Sequence, residues 1–304
     1  MEESMIFYGF RGFITFPDQS SIFNINISND ADGKNKMFRH FFDFVQERQM
    51  INSLYQSRAY ILIFKNKYDD LIHCQLARKK KFNKRELVEN VIVECEDNDY
   101  PYVNIFIDLK SQKFLVESKT LVFENYETCG KVLENIINNN LAGKDVKITL
   151  SQIMEEEKFW NYFNNDSKVY SIELNFVSPN IFGAEDAADA LLKDAQENVG
   201  SEKVSLKFSN SEGNLKPNKK GFASFIRYIS AGGGNWKITV LSDNGRKEKI
   251  KSTTKSTKVK VPLSIEKLNK QRLDEKDILY LINGFNSIEI FEKLKEKNEW
   301  EKRD

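Results

Sequence analysis

The stretch YVNIFIDLKSQKFLVESK, residues 102–119, decides the fold class. Two apolar-rich runs, Tyr102–Leu109 and Lys113–Ser118, flank the polar Lys110-Ser111-Gln112. Alternation with a period of two on either side of a short polar turn predicts an antiparallel hairpin. Upstream, Tyr60–Phe64 and Leu71–Leu76 read as two further strands, and Arg85–Val91 as a short helix. Downstream, Thr128–Asn139 reads as a helix, Val146–Leu150 as a strand and Glu155–Phe163 as a helix. Hairpins interleaved with helices make the class α+β, with antiparallel or mixed sheets and flanking helices.

The rest of the chain follows the same grammar. Residues 5–28 read as two strands, the second carried by Phe23, Ile25 and Ile27 alternating with Ile22, Asn24 and Asn26. Residues 29–33 form a polar loop and 36–56 a helix. Asn164-Asn165-Asp166-Ser167 is turn-prone and lies between periodic segments, so two domains are expected, 1–165 and 166–304. The second holds a strand at Val169–Val177, an alanine-rich helix at Gly183–Val199 and a strand at Val204–Phe208. It continues with a helix at Gly221–Ser230, a strand at Trp236–Leu241, a basic arm over 246–260 and a helix from about 274 to 300. Gly232-Gly233-Gly234 follows a helix and lacks a Gly-Lys-Ser/Thr, so it reads as a helix stop and not a phosphate loop.

With 304 residues, 40% apolar, the chain can bury a substantial core. Its net charge of +1 is uninformative, so the distribution of charge must carry any argument about partners. Cys74, Cys95 and Cys129 are widely spaced, which suits free thiols in a reducing compartment. The start MEESMIFYGF lacks the basic leader of a secretory signal, and no run reaches membrane-spanning length. A cytoplasmic protein without membrane insertion is expected.

The sharpest chemical feature is the basic arm: Arg246, Lys247, Lys249, Lys251, Lys255, Lys258 and Lys260, opposed by Glu248. Hydroxyls of Ser252, Thr253, Thr254, Ser256 and Thr257 lie between them. Lysines displace counterions from phosphates, and hydroxyls donate to phosphate oxygens. Lys249 shares strand parity with Lys251, and Lys258 with Lys260, as a β-hairpin arm on a duplex would need. The plainer alternative is a solvated lysine edge that blocks aggregation. A second basic run is Arg78, Lys79, Lys80, Lys81, Lys84 and Arg85, and a smaller one Lys216, Lys219, Lys220 and Arg227. Acidic charge is concentrated elsewhere, at Glu155–Glu157 and at Glu94, Glu96, Asp97 and Asp99.

An alternative, enzymatic site lies in the opening hairpin. Asp108 followed by Glu117-Ser118-Lys119 resembles the metal-dependent core of restriction-type nucleases, in which two carboxylates hold Mg²⁺ and a lysine activates water. A tight turn would place Asp108, Glu117 and Lys119 on one face. His40 and His73 are the only histidines, and neither sits in a nucleophile motif. No cofactor is implied.

The order YILIFKNKYDDLIHCQL, a basic linker with a short helix, YVNIFIDLKSQKFLVESK, a helix, a strand and a lysine-rich C-terminal half resembles the RexA-type phage-exclusion proteins over about residues 57–260. The hairpin arrangement is also similar to the Kiwa B-type defence proteins. Both resemblances imply DNA binding, oligomerisation and a role against bacteriophage, and neither supplies matched residues. The expectation is thus a non-enzymatic DNA-binding protein, a homodimer or other homo-oligomer, of a bacterial anti-phage or regulatory system. The alternatives are the nuclease above and an interaction subunit that docks a second defence-system protein through the terminal helix.

Overall fold

A computed structural model describes residues 4–15, 31–120, 122–123, 125–141, 146–164, 167–177, 191–192, 194–195, 198–199, 201, 203–255, 257–270 and 273–300. The fold is α+β, built on two antiparallel sheets and a separate two-stranded ribbon. The expected strand over 22–27 and most of the expected helix over 183–199 lie outside the described residues.

The opening hairpin forms the middle of the larger sheet. Strands β7 (Tyr102–Asp108) and β8 (Lys113–Glu117) pair with Asp108 opposite Lys113. Outward from β7 run β4 (Leu71–Arg78), β3 (Arg58–Tyr68) and β2 (Met50–Tyr55). Beyond β8 lies β1 (Met5–Thr15). Its far edge is shared by β14 (Lys258–Val261) on residues 5–8 and β9 (Lys147–Gln152) on residues 10–15. Period two divides this sheet into two apolar faces. One packs Ile105, Ile107, Phe114 and Val116 beneath α1 (Ala31–Arg48) and α2 (Tyr126–Asn140). The other packs Phe7, Phe106, Leu115, Val259 and Val261 against α5 (Ile265–Asn269) and the start of α6 (Glu275–Trp300).

The smaller sheet has the order β11-β10-β12-β13, from β10 (Val169–Val177), β11 (Lys203–Ser209), β12 (Gly234–Leu241) and β13 (Lys247–Lys251). One face carries Ile172, Leu174, Phe176, Trp236 and Ile238. These residues pack with Phe159 of the single turn α3 (Glu157–Trp160) and Ile226 of α4 (Lys219–Tyr228). The three glycines end the α4 segment as expected: Gly232 has φ 92°, and a Cβ on Gly234 would run into the Asn175 carbonyl of β10.

Several expectations change. The expected helix at 155–163 contracts to α3, and 36–56 divides into α1 and β2, because Gln49 with φ 60° ends the helix and starts the strand. The expected helix at 85–91 is the tip of an extended ribbon. Here β5 (Lys80–Val88) and β6 (Val91–Asp99) pair throughout around Glu89-Asn90. Both turn residues have positive φ (48° and 67°), as a type I′ turn requires. Finally, a division at 165/166 does not describe the C-terminal part. The smaller sheet ends with β13, after which β14, α5 and α6 return to the larger one.

Candidate nucleic-acid interface

The uncovered face of the smaller sheet follows from four short alternating sequences. In KVSLKFS, VYSIELNFV, GNWKITVL and KEKIK, apolar residues at every second position fill the core, so the others share the opposite face. Register arranges that face in rows. Lys207, Glu173, Lys237 and Lys251 form one, Ser209, Ser171, Thr239 and Lys249 the next. Ser205, Asn175 and Asn235 lie on one side of these, and Leu241 opposite Lys247 on the other. Lys203 extends the β11 edge beside Val177.

The centre of the face is a hydrogen-bonded polar ladder. Ser171 Oγ donates to Thr239 Oγ1 (2.8 Å), Ser205 Oγ to Asn175 Oδ1 (2.7 Å), and Asn175 Nδ2 to Asn235 Oδ1 (3.1 Å). Lysines flank the ladder: Lys203 and Lys207 on β11, and Lys247, Lys249 and Lys251 on β13, all exposed. Glu173 is the acid on this face among the described residues, and it is ion-paired with Lys237. That lysine, then Asn175, holds the Glu173 carboxyl below its ordinary range. The Lys247 ammonium lies 3.8 Å from the centroid of the Tyr170 ring.

One end of the face turns into a cleft of about 490 Å³ against α2 and β9. Asn175, Asn235, Lys203, Lys237 and Lys251 line one wall, and Glu127, Lys131 and Glu134 the other. Lys131 pairs with Glu127 at 2.7 Å, and Glu134 accepts from the Leu150 amide at 3.0 Å. Burial raises the Glu134 carboxyl above its ordinary range.

The expected basic arm is split. Lys247, Lys249 and Lys251 lie on the face just described, and Arg246 in the turn before them. Lys255 lies in a short turn, Ser252–Lys255, and Lys258 and Lys260 project from β14 of the other sheet, on the same side as Ile6. The physical cause is Ser252. Its buried hydroxyl accepts from the Trp236 amide (3.1 Å), and the chain then crosses to the larger sheet, where the Thr257 amide reaches the Ile153 carbonyl (3.1 Å). Among the described residues, 247–251 and 258–260 do not pair as a hairpin arm. The parity pairing was sound, but the two pairs belong to different surfaces. Lys203, Lys207 and Lys237, which complete the face, escaped sequence reading. The signal for Lys207 and Lys237 is parity within the strands read at 204–208 and 236–241; Lys203 lies one residue before the first of these.

The second basic run also changes meaning. Arg78 ends β4, Lys79 follows it, and Lys80, Lys81, Lys84 and Arg85 form the basic strand of the ribbon against an acidic one. Lys81 pairs with Glu96 (3.0 Å), Lys84 with Asp97 and Glu86 (2.7 Å each) and Arg85 with Glu94 (3.0 Å). The acids hold Lys84 above its ordinary pKa. The third cluster, Lys216, Lys219, Lys220 and Arg227, lies on and before α4; there the Lys219 ammonium is 5.6 Å from the centroid of the Trp160 ring.

The alternative nuclease residues are not brought together. Asp108, Glu117 and Lys119 point to one side of the sheet, as expected, but the register sets Asp108 opposite Lys113 and leaves Glu117 level with Asn104. Four residues of strand, roughly 13 Å, separate the two acids. Asp108 accepts from its own turn, at Lys110 N and Ser111 Oγ. Glu117 is buried and accepts from Asn104 N (2.9 Å), Asn104 Nδ2 (2.7 Å) and Lys119 Nζ (3.0 Å). Asn104 Oδ1 in turn lies 3.0 Å from His73 Nε2, and burial lowers the His73 pKa to about 4. This is a satisfied internal network, the arrangement by which a sheet keeps buried polar groups. Among the described residues, no three His, Cys, Asp or Glu side chains gather as a metal site.

A family model described as a domain of unknown function, DUF4747, matches residues 21–277. The chain belongs to the DUF4747 family. That match contains every strand except β1, and so the whole of the smaller sheet with its lysine face and the whole ribbon. No curated protein and no solved structure matches the chain. Among the described residues no helix is long and apolar enough to cross a membrane.

Proposed function

We propose that this DUF4747 chain is a DNA-binding protein that grips phosphates with the lysine face of its smaller sheet. The observation that carries the reading is the charge on that face. Lys203, Lys207, Lys237, Lys247, Lys249 and Lys251 share it with one acid, Glu173, which is already paired. In a chain of net charge +1, such local segregation needs a reason. The lysine-bearing edges, β11 and β13, stand three strand spacings apart, roughly 14 Å. That is of the order of the ~12 Å major groove of duplex DNA, so the two edges suit the two phosphate walls of a groove. Thr239 and Asn235, which accept within the central ladder, have a hydroxyl and an amide to donate to phosphate oxygens. The anti-phage or regulatory setting rests on the resemblance in order of elements to the RexA-type proteins, less the short linker helix, whose place the β5–β6 ribbon takes. The nuclease reading is not carried forward, because its acids stand apart.

Titration of labelled duplex DNA at two salt concentrations, with and without Mg²⁺, tests the proposal. Binding without cleavage is expected, with log K falling against log salt at about 0.9 per phosphate contact. A salt-insensitive or undetectable interaction at low salt would remove the proposal, and Mg²⁺-dependent cleavage would reopen the nuclease.

A further inference from the structure

The β5–β6 ribbon belongs to neither sheet. Its strands pair only with each other among the described residues, and its side chains are mostly exposed. Nine residues per strand give it a reach of roughly 30 Å. A ribbon so placed would normally end in polar residues. This one ends in Leu87, Val88, Val91, Ile92 and Val93, with Leu87 72% and Ile92 69% exposed. Apolar residues on both faces of a projecting tip mark an interaction site.

The charges behind the tip select the partner. One strand is basic (Lys80, Lys81, Lys84, Arg85) and the other acidic (Glu94, Glu96, Asp97, Asp99), in full register. Consider two copies of the ribbon. Joining them edge to edge about a two-fold axis sets β5 against β5 or β6 against β6, and like charges face each other. Stacking them with tips opposed about an axis across the strands also sets basic over basic. Stacking them with tips together, about an axis running along the ribbon, does the opposite. Arg85 then lies over Glu94 of the second copy, Asn83 over Glu96, and Leu87 over Ile92. This face carries the more open ion pairs. Arg85 and Glu94 side chains remain 75% and 64% exposed, while Lys84 on the other face already holds two acids.

We infer that the ribbon is a dimerisation arm whose occupant is the ribbon of a second copy, packed face to face with both tips pointing the same way. Leu87 and Ile92 supply the dry contact, and the basic and acidic strands fix orientation.

The test is the mass in solution of the full chain and of two charge variants, by sedimentation velocity. The wild type is expected at twice the 35.4 kDa of one chain. On the stacked face, K81E/R85E makes both strands acidic, and E94K/E96K makes both basic. Each alone is expected at the mass of one chain, and an equal mixture is expected to return to the doubled mass. L87S/I92S should be monomeric with unchanged circular dichroism, because the ribbon adds nothing to either core. A monomeric wild type overturns the inference, as does a dimer that survives in L87S/I92S or a mixture that stays monomeric. A wild type that is monomeric but sediments with phosphatidylglycerol vesicles also overturns it, in favour of lipid. DNA binding by the sheet face stands or falls separately.

Discussion

The chain contains two basic runs of similar composition, and the fold treats them oppositely. Lys247, Lys249 and Lys251 lie on an edge strand whose neighbour offers Leu241, Thr239 and Lys237 in the facing positions. Lys81, Lys84 and Arg85 lie on a strand whose neighbour offers Asn98, Cys95 and Glu94, with Glu96 and Asp97 within reach. The first run adds to a positive surface. The second is cancelled by the strand beside it. A run of lysines therefore says little until its cross-strand partners are known, and those partners lie outside the run itself.

Four experiments press on this contrast. The largest effect should come from reversing the face: Lys203, Lys207, Lys249 and Lys251, each changed to Glu, should abolish DNA binding at low salt while leaving the thermal midpoint nearly unchanged, since all four are exposed. The next concerns stability and separates it from binding. His73 is buried and neutral in the fold, with a pKa of about 4 against 6.5 when unfolded. Between these values the unfolded chain binds the extra proton, so stability falls as pH drops from about 6.5 towards 4, by up to roughly 3 kcal/mol. Denaturant titration across that window should show the slope in the wild type and lose it in His73→Gln. Any loss of DNA binding over the same window should track unfolding.

Smaller gains are expected from removing acids. Neutralising the ribbon with Glu94→Gln, Glu96→Gln and Asp97→Asn should turn a cancelled run into an active one, and should raise DNA affinity several-fold at low salt. Glu173→Gln, which releases Lys237 on the face, should do the same to a lesser degree and steepen the salt dependence by about one phosphate contact. A fall in affinity in either variant would mean that the acids position the lysines and do not oppose them.

Much of the fold was legible. The hairpin at 102–119 alternates cleanly, and Asn125, whose side chain accepts from Thr128 N, caps the helix read at 128–139. What failed did so for identifiable reasons. The ribbon tip at 85–91 reads as a helix because Arg, Glu and Leu favour helices intrinsically and its Glu-Asn turn lacks the usual glycine. Its strand state is settled by pairing with Val91–Asp99. The return of 258–261 to β1 joins residues some 250 positions apart, and nothing local in Lys-Val-Lys-Val announces that partner. The candidate site was half legible for the same reason. Lys247, Lys249 and Lys251 are consecutive in parity and stood out, whereas Lys203, Lys207 and Lys237 are isolated lysines that become a surface only when the sheet is assembled.

The central claim is that the sheet face, and not the ribbon, neutralises phosphates. The most direct measurement compares the salt dependence of DNA binding for two full-length variants: one with Lys203, Lys207, Lys249 and Lys251 changed to Ala, the other with Lys80, Lys81, Lys84 and Arg85 changed to Ala. The account predicts that the face variant loses about 3 to 4 from the slope of log K against log salt while the ribbon variant changes it by less than about 1. The reverse order, or equal losses in both, would contradict it.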